Sequence, residues 1–318
     1  MDVFKRVPRS PRPRWIAIGA VLVIAIAAGV YFWPKGATPG AQRPYAAPSD
    51  CISSVSDQVG LGRALEKGYP GDRICAFGDF GGARLVIAKG GTPEWPMLIF
   101  GDGKSEVKGI TITADNVVLS GFNVVGGIAP GILMRGNNIT VEHNTVTHPT
   151  GEDHDGLRFF GANLKILHNT ISYIDPERTD AHADCMQSFA TGPDAPASQN
   201  VLIDGNACLE IDNQCLIVEG PHSSAGDGSG IGVTKDITFS NNFCDANASQ
   251  AVQIDDVQNV RITDNDINAG VRKAFSFQNN STGAVIEGND ISPCVKYEIG
   301  MDASSRRDYR GPDIGGRP

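Results

Sequence analysis

Six times between residues 138 and 291 the chain repeats one phrase, a short alternating strand closed by an asparagine. The copies are "NITVEHNTV", "NLKILHNTI", "NVLIDGNAC", "DITFSNNFC", "NVRITDNDI" and "AVIEGNDI", closed by Asn144, Asn169, Asn206, Asn242, Asn265 and Asn289. An earlier copy, "NVVLSGFNV", carries Phe122 at that place. A second phrase alternates with the first: "PGILMR", "DGLRFF", "DCMQSF", "QCLIVE", "QAVQID" and "KAFSFQ". Its inward apolar positions are separated by outward ones, the period of a strand. A repeat of this length means a unit that buries its apolar face only against its neighbours.

Two short strands per turn, a period of roughly 23 residues and one asparagine corner predict an all-β fold, a right-handed single-stranded parallel β-helix. Asparagines in such a column can hydrogen-bond along it. An antiparallel sandwich would not hold one residue type in register over six copies. The open ends of a coil need caps. An amphipathic helix is expected over 53–68, with Val55, Val59, Leu61 and Leu65 as its apolar contacts. Cys51 and Cys75 bracket it, and a bridge there would pin the cap. The coil domain is placed at 51–300, with 301–318 as a disordered tail.

Ahead of the coil lies "WIAIGAVLVIAIAAGVYFW", Trp15 to Trp33, without a charge. As a helix it would be about 28 Å long, enough to cross a bilayer. Residues 1–14 carry Lys5, Arg6, Arg9, Arg12 and Arg14 against Asp2, which keeps that end cytoplasmic and sends the body outward. We read 15–33 as an uncleaved transmembrane signal-anchor, since the apolar run continues past "AIA" at 25–27, where a signal peptide would be cut. Residues 34–50 read as a Pro/Ala/Gly-rich linker. The expected location is therefore the cell membrane, single-pass, with an extracytoplasmic C-terminal domain acting as a monomer.

Charge narrows the partners. Without residues 1–14 the balance is (27 − 5) − (36 − 1) = −13, against −9 for the whole chain. An acidic outer domain argues against nucleic acid. Seven cysteines in an exported chain suggest disulfides with one thiol left over. Cys185 and Cys215 share a column, as do Cys208 and Cys244. The loop at 220–232 lacks the lysine and strand-to-helix context of a phosphate loop, and no His/Cys cluster has zinc spacing.

Departures from the minimum repeat locate the site. From an asparagine corner to the next second phrase takes 155 − 144 = 11 and 184 − 169 = 15 residues, but 214 − 206 = 8 and 250 − 242 = 8 elsewhere; onward to the following asparagine takes 206 − 184 = 22 and 242 − 214 = 28, but 265 − 250 = 15. Excess length therefore gathers around 155–160, 184–189 and 214–219, where long loops would wall a groove. By register Asp155, Asp184 and Gln214 form one column, and Arg158 and Gln187 the next outward one. Like charges stacked in this way raise the pKa of one acid, so Asp155 and Asp184 are the candidate acid–base pair. His154, His182 and Arg158 complete the expected catalytic set. Gln187, Gln214, Glu219, His222, Gln253 and Asp255 are the expected substrate contacts. An acidic groove could hold Ca²⁺ through Asp155, Asp184 and Glu219, although no cofactor is required. Against this stands the plain reading, that Asp before a strand is turn chemistry. His143 and His168, beside the asparagine corner, read as solvated turn residues.

Over residues 70–295 the repeats resemble the pectate-lyase-like β-helix superfamily. At "DHDGLRF", "ADCMQS" and "NQCLIV" the chain resembles the active-site rungs of polygalacturonase-type glycoside hydrolases, Asp155 and Asp184 falling on motif acids. Ala183 and Gln214 depart from that pattern, and no Arg-Ile-Lys motif follows. "ALEKGYPGDRICAFGDF" and "GGTPEWPMLIFGDG" resemble the amino-terminal rungs of β-helix polysaccharide lyases. The resemblance implies a polysaccharide partner and either hydrolysis or β-elimination. The reading from a different class is a non-catalytic surface coil that binds glycan or protein.

Overall fold

Each turn of the chain lays down three short strands. Leu157–Phe160 enters one sheet, Ala162–Leu167 a second and Thr170–Ile174 a third, before the path returns to the first at Met186–Phe189. The computed structural model describes residues 45–318 apart from 81, 152, 175–181, 224–230 and 269. Among those residues the strands build three parallel sheets. Sheet I has eleven strands, from Ser53–Val55 to Val285–Glu287. Sheet II has nine, from Arg84–Ile87 to Tyr297–Met301, and sheet III has eight, from Glu106–Val107 to Asp290–Ile291. The architecture is the expected parallel β-helix, with three strands per turn rather than two. The third strand escapes a reading by period because it is only two to five residues long, as in Asp266–Ile267 and Thr170–Ile174, and follows the asparagine directly.

Inward aliphatic positions of all three sheets, such as Val141, Ile166, Ile203 and Phe239, close into one core. The asparagine column holds the corner between sheets I and III. Asn169 donates from its backbone N–H and from Nδ2 to Oδ1 of Asn206, at 2.9 and 3.0 Å. Asn206 does the same to Asn242, and Asn242 to Asn265. A side chain with both donor and acceptor satisfies each buried corner, which explains one residue type in six copies. His143 and His168 are not simply solvated: their rings stack at 5.2 Å, and Tyr45 meets His143 at 5.9 Å.

The first cap is helix α1, Gln58–Lys67, which Asp57 caps by accepting the Gly60 N–H at 2.6 Å. Leu61 and Leu65 are buried, but Val59 is exposed, and Val55 belongs to a strand paired with Arg73–Ala76. The expected 53–68 helix is thus shortened, its first turn given to the first rung. Cys51–Cys75 is bridged as expected. The run 301–318, expected to be disordered, instead closes the other end. Arg310 bridges to Val285, Ile314 bridges to Ile299, and Ser305 is buried. Its polar composition suits a cap that faces water on one side.

The basic tail, the apolar run and most of the linker lie outside the described residues. Among the described residues no helix is long and apolar enough to cross a membrane.

Candidate active site

Sheet II carries the predicted columns in the predicted register. Leu157 pairs with Met186 and Met186 with Leu216, so Asp155, Asp184 and Gln214 are stacked one rung apart. Arg158, Gln187, Ile217 and Gln253 form the next outward column. Beyond it lies a third, in which Arg135 pairs with Phe160, Phe189 with Glu219 and Glu219 with Asp255.

The acids of the first column do not face the groove. Asp155 and Asp184 are both 0% exposed. Asp155 Oδ1 accepts the Asp184 N–H at 3.0 Å, and its Oδ2 accepts from Arg158 Nε at 2.6 Å. Asp184 Oδ1 accepts the Gln214 N–H and Asn213 Nδ2, each at 2.9 Å. These carboxylates extend the corner ladder, the turn chemistry that competes with catalysis in the sequence. An acid–base pair open to substrate is therefore replaced by a buried structural pair. Burial pushes Asp155 up to about 6 against the pull of Arg158, and holds Asp184 well above the ordinary carboxylate range, with Asp155 adding to the rise. Among the described residues Asp184 Oδ2, Gln187 Oε1 and Gln214 Oε1 are buried acceptors without a partner, which suits a protonated Asp184.

Calcium does not fit the proposed ligands. Asp155 spends both oxygens on donors, one of them a guanidinium. Among the described residues no group of three His, Cys, Asp or Glu side chains is placed to hold a metal ion.

The open feature of sheet II is a groove of about 700 Å³, walled by Arg84, Leu133, Arg135, Phe160, Phe189 and Asp194, with Arg158 alongside. Phe160 and Phe189 meet edge to face at 5.0 Å, and the Arg158 guanidinium lies 5.6 Å from the Phe189 ring. Arg158 is engaged by Asp155 and by Asp153 at 3.0 Å, and Arg84 by the carbonyls of Ile128 and Pro130. Arg135 is the least committed of the three. Among the described residues its Nε is buried without a partner, and its one ion pair is a 3.6 Å contact to Asp194, whose side chain is 95% exposed. Sequence reasoning missed Arg84, Arg135 and Asp194. Arg135 ends "PGILMR" in the same outward column as Phe160, so register could have found it, whereas Asp194 arrives by a turn with no periodic signal.

Glu219 continues the groove's wall one rung beyond Phe189, about 4.8 Å along the coil. Its side chain is 7% exposed and makes no hydrogen bond among the described residues. Burial pushes its carboxyl up to about 7, and the neighbouring Asp255 adds to the rise. Asp255 is fully buried, its two oxygens held at 2.7 Å by Gln278 Nε2 and Asn279 Nδ2. Around this pair the structure gathers Gln253, which accepts from Gln250 at 2.7 Å, and Gln214. His222 is placed by Asp256, which accepts its backbone N–H at 2.7 Å and meets ring Nδ1 at 3.1 Å. His154 and His182 are not drawn into the cluster. His154 takes a left-handed backbone and buries an unpartnered Nδ1. His182 is exposed and makes no hydrogen bond among the described residues.

The cysteines share the expected columns but are bridged across the coil within a turn, not along a column. Cys185 pairs with Cys208 and Cys215 with Cys244. Cys208 and Cys244 are register partners on sheet III, but each sulfur bridges across the coil to the corner preceding sheet II. Cys294 is the free, exposed thiol.

Fold and site together define a parallel β-helix with a polar, arginine-lined face. The chain belongs to the right-handed β-helix family, whose "Right handed beta helix region" matches residues 108–306, that is 306 − 108 + 1 = 199 of 318. No curated protein matches the sequence. Among solved structures it is similar to the PL6 family alginate lyase AlyGC, with 17% identity and a TM-score of 0.60 over 74% of this chain and 34% of that one. It is similar also to an alginate lyase from Paenibacillus sp. str. FPU-7, with 14% identity and a TM-score of 0.50 over 79% and 99% of the two chains. Pectate lyase Pel9A is 13% identical, with a TM-score of 0.54 over 83% and 79%. The chain thus spans about a third of AlyGC, and at these identities the likeness is one of fold.

Proposed function

We propose that this protein is a carbohydrate-active β-helix that binds an acidic polysaccharide along the sheet II groove and cleaves it by β-elimination. The observation that carries this reading is Glu219. It is a carboxyl that keeps 7% exposure, makes no hydrogen bond among the described residues, is raised to about 7 and stands one rung from a groove lined by arginines. A base poised near neutrality is suited to taking a proton from the carbon beside a uronate carboxylate. Arg135, with unspent donors, would neutralise that carboxylate as charge spreads into it. The electron pair left on carbon forms the new C=C bond as the C–O bond to the next sugar breaks, and the departing oxygen takes a proton from Glu219 or from water. Phe189, packed edge to face on the buried Phe160, offers its ring to sugar C–H groups.

Hydrolysis would need two accessible carboxyl groups flanking one bond. Asp155, Asp184 and Asp255 are fully buried, which favours elimination by a single base. The lyases of similar fold support a glycan as partner. The apolar run at 15–33 supports a membrane anchor with the coil outside the cell. Incubating the protein with polyuronates and following both reducing ends and ultraviolet absorbance of unsaturated products tests the reaction class. Chain ends that rise without absorbance would replace elimination by hydrolysis.

A further inference from the structure

The large apolar side chains that the coil leaves exposed gather at its amino-terminal end. Of the ten exposed among the described residues, Ile52, Val59, Tyr69, Val86 and Trp95 fall within residues 52–95, the first cap and the first rungs. Contacts place four of them along α1. Gln58 spends its amide on the backbone of Val86, accepting the N–H at 3.1 Å and donating to the carbonyl at 3.4 Å. That seats the start of the helix, with Val59, on the edge strand of sheet II. At the other end of α1, Tyr69 opens a turn closed by Asp72, which accepts the Tyr69 N–H at 2.8 Å. Trp95 lies against the same turn, since a Cβ on Gly71 would meet its ring at 3.5 Å. Between the two ends the helix turns Val59, Arg63 and Lys67 outward on one face.

Charge divides the coil in the same way. Residues 51–100 carry equal numbers of basic and acidic side chains, 5 − 5 = 0, whereas residues 101–318 carry 15 − 29 = −14. An anionic surface would therefore repel most of the coil and spare its capped end. The tether brings such a surface within reach. Trp33 closes the apolar run, and Tyr45 is pinned to the early rungs, its hydroxyl donating to the Gly101 carbonyl at 2.9 Å. The chain advances 45 − 33 = 12 residues from one to the other. Fully extended, that length spans at most about 40 Å.

We propose that the capped amino-terminal end of the coil docks on the surface of the lipid bilayer, with Trp95 and Tyr69 at headgroup depth and Arg63 and Lys67 against lipid phosphates. The proposal rests on the membrane-anchor reading given above. It adds an orientation that the anchor alone does not impose, since a tether of that length would let any flank of the coil face the lipid. Trp and Tyr suit headgroup depth because each joins an apolar ring to a polar N–H or O–H. A coil standing on this end holds the outward column of sheet II, from Arg135 to Glu219, clear of the bilayer and open to a glycan outside the cell.

The test is tryptophan fluorescence of the full-length protein reconstituted in vesicles of equal parts phosphatidylcholine and phosphatidylglycerol. Trp15→Phe with Trp33→Phe leaves Trp95 as the one tryptophan. Trp95 is 66% exposed and Ile314, in the opposite cap, 37%. Without docking, aqueous iodide should quench Trp95 at least as strongly as an Ile314→Trp reporter built on a further Trp95→Phe change. Docking reverses that order, with Trp95 quenched roughly threefold less than the reporter. Lipids brominated near the headgroup should quench Trp95 and leave the reporter untouched, and the Trp95 arm decides by itself if the reporter variant does not fold. Flotation of the vesicles separates this proposal from the anchor. Protein that floats, with Trp95 open to iodide and untouched by brominated lipid, keeps the anchor and overturns the docking. Protein that does not float overturns both.

Discussion

Asp155 accepts the backbone N–H of Asp184 at 3.0 Å, and Asp184 in turn accepts that of Gln214 at 2.9 Å, so two acids that stack like catalytic partners act as rungs of a buried ladder. Their replacement should therefore be read in stability. Asp184→Asn keeps the acceptor and gives Gln187 or Gln214 a donor for an unpartnered oxygen, so its melting temperature should equal or exceed that of the parent. Asp155→Ala strands the Arg158 guanidinium and a backbone N–H, and should cost about 3 kcal/mol. Denaturant melts of both variants check the contrast. Equal losses would contradict it.

The asparagine corner should be the least replaceable polar feature of the coil. Asn206 accepts two hydrogen bonds from Asn169 and donates to Asn242, Ile166 and Asp204. Asn206→Ala should cost at least about 3 kcal/mol, and Asn206→Asp more, because a carboxylate facing Asn242 Oδ1 cannot donate. Urea unfolding would measure both.

Stability should fall as pH rises across neutrality. Glu219 has a folded pKa of about 7 against an ordinary 4.5, and Asp155 about 6 against 3.8. Both are raised, so the stability they contribute is complete below the unfolded values and is lost as pH climbs through the folded ones. Between about pH 4.5 and 7 each proton held only by the folded state gives a slope of up to about −1.4 kcal/mol per pH unit. Glu219→Gln should flatten this slope near pH 7, as urea melts from pH 4 to 8 would show. An unchanged slope would place the titration elsewhere.

The anchor reading predicts that the full-length protein stays with membranes through a carbonate wash, while a chain beginning near Arg43 is soluble and folded. A mature amino terminus near Ala28 recovered from the medium would contradict it.

The columns were legible in the sequence because the asparagine corner fixes the phase of every rung, and strand parity does the rest. That is why Arg158, Gln187 and Gln253, or Glu219 and Asp255, fall where expected. Parity does not reach into the corners. Asp155 and Asp184 precede their strands, where φ and ψ decide whether a side chain faces water or its own ladder. The cysteine columns follow from register, but the pairing does not: register gives neighbours along a column, while Cys185 and Cys208 meet across the coil within one turn. Asp194 and the ordered 301–318 cap come from segments without a period, so nothing local announces them.

The central claim is that Glu219 is the base of an eliminating polysaccharide site. The direct measurement is the initial rate of unsaturated-product formation from a panel of polyuronates by the parent protein and by Glu219→Gln, with circular dichroism confirming an intact coil. The account predicts a cleaved polyuronate and a rate lower by about 10²–10⁴-fold in the variant. A variant as fast as the parent, or no unsaturated product from any polyuronate, would contradict it.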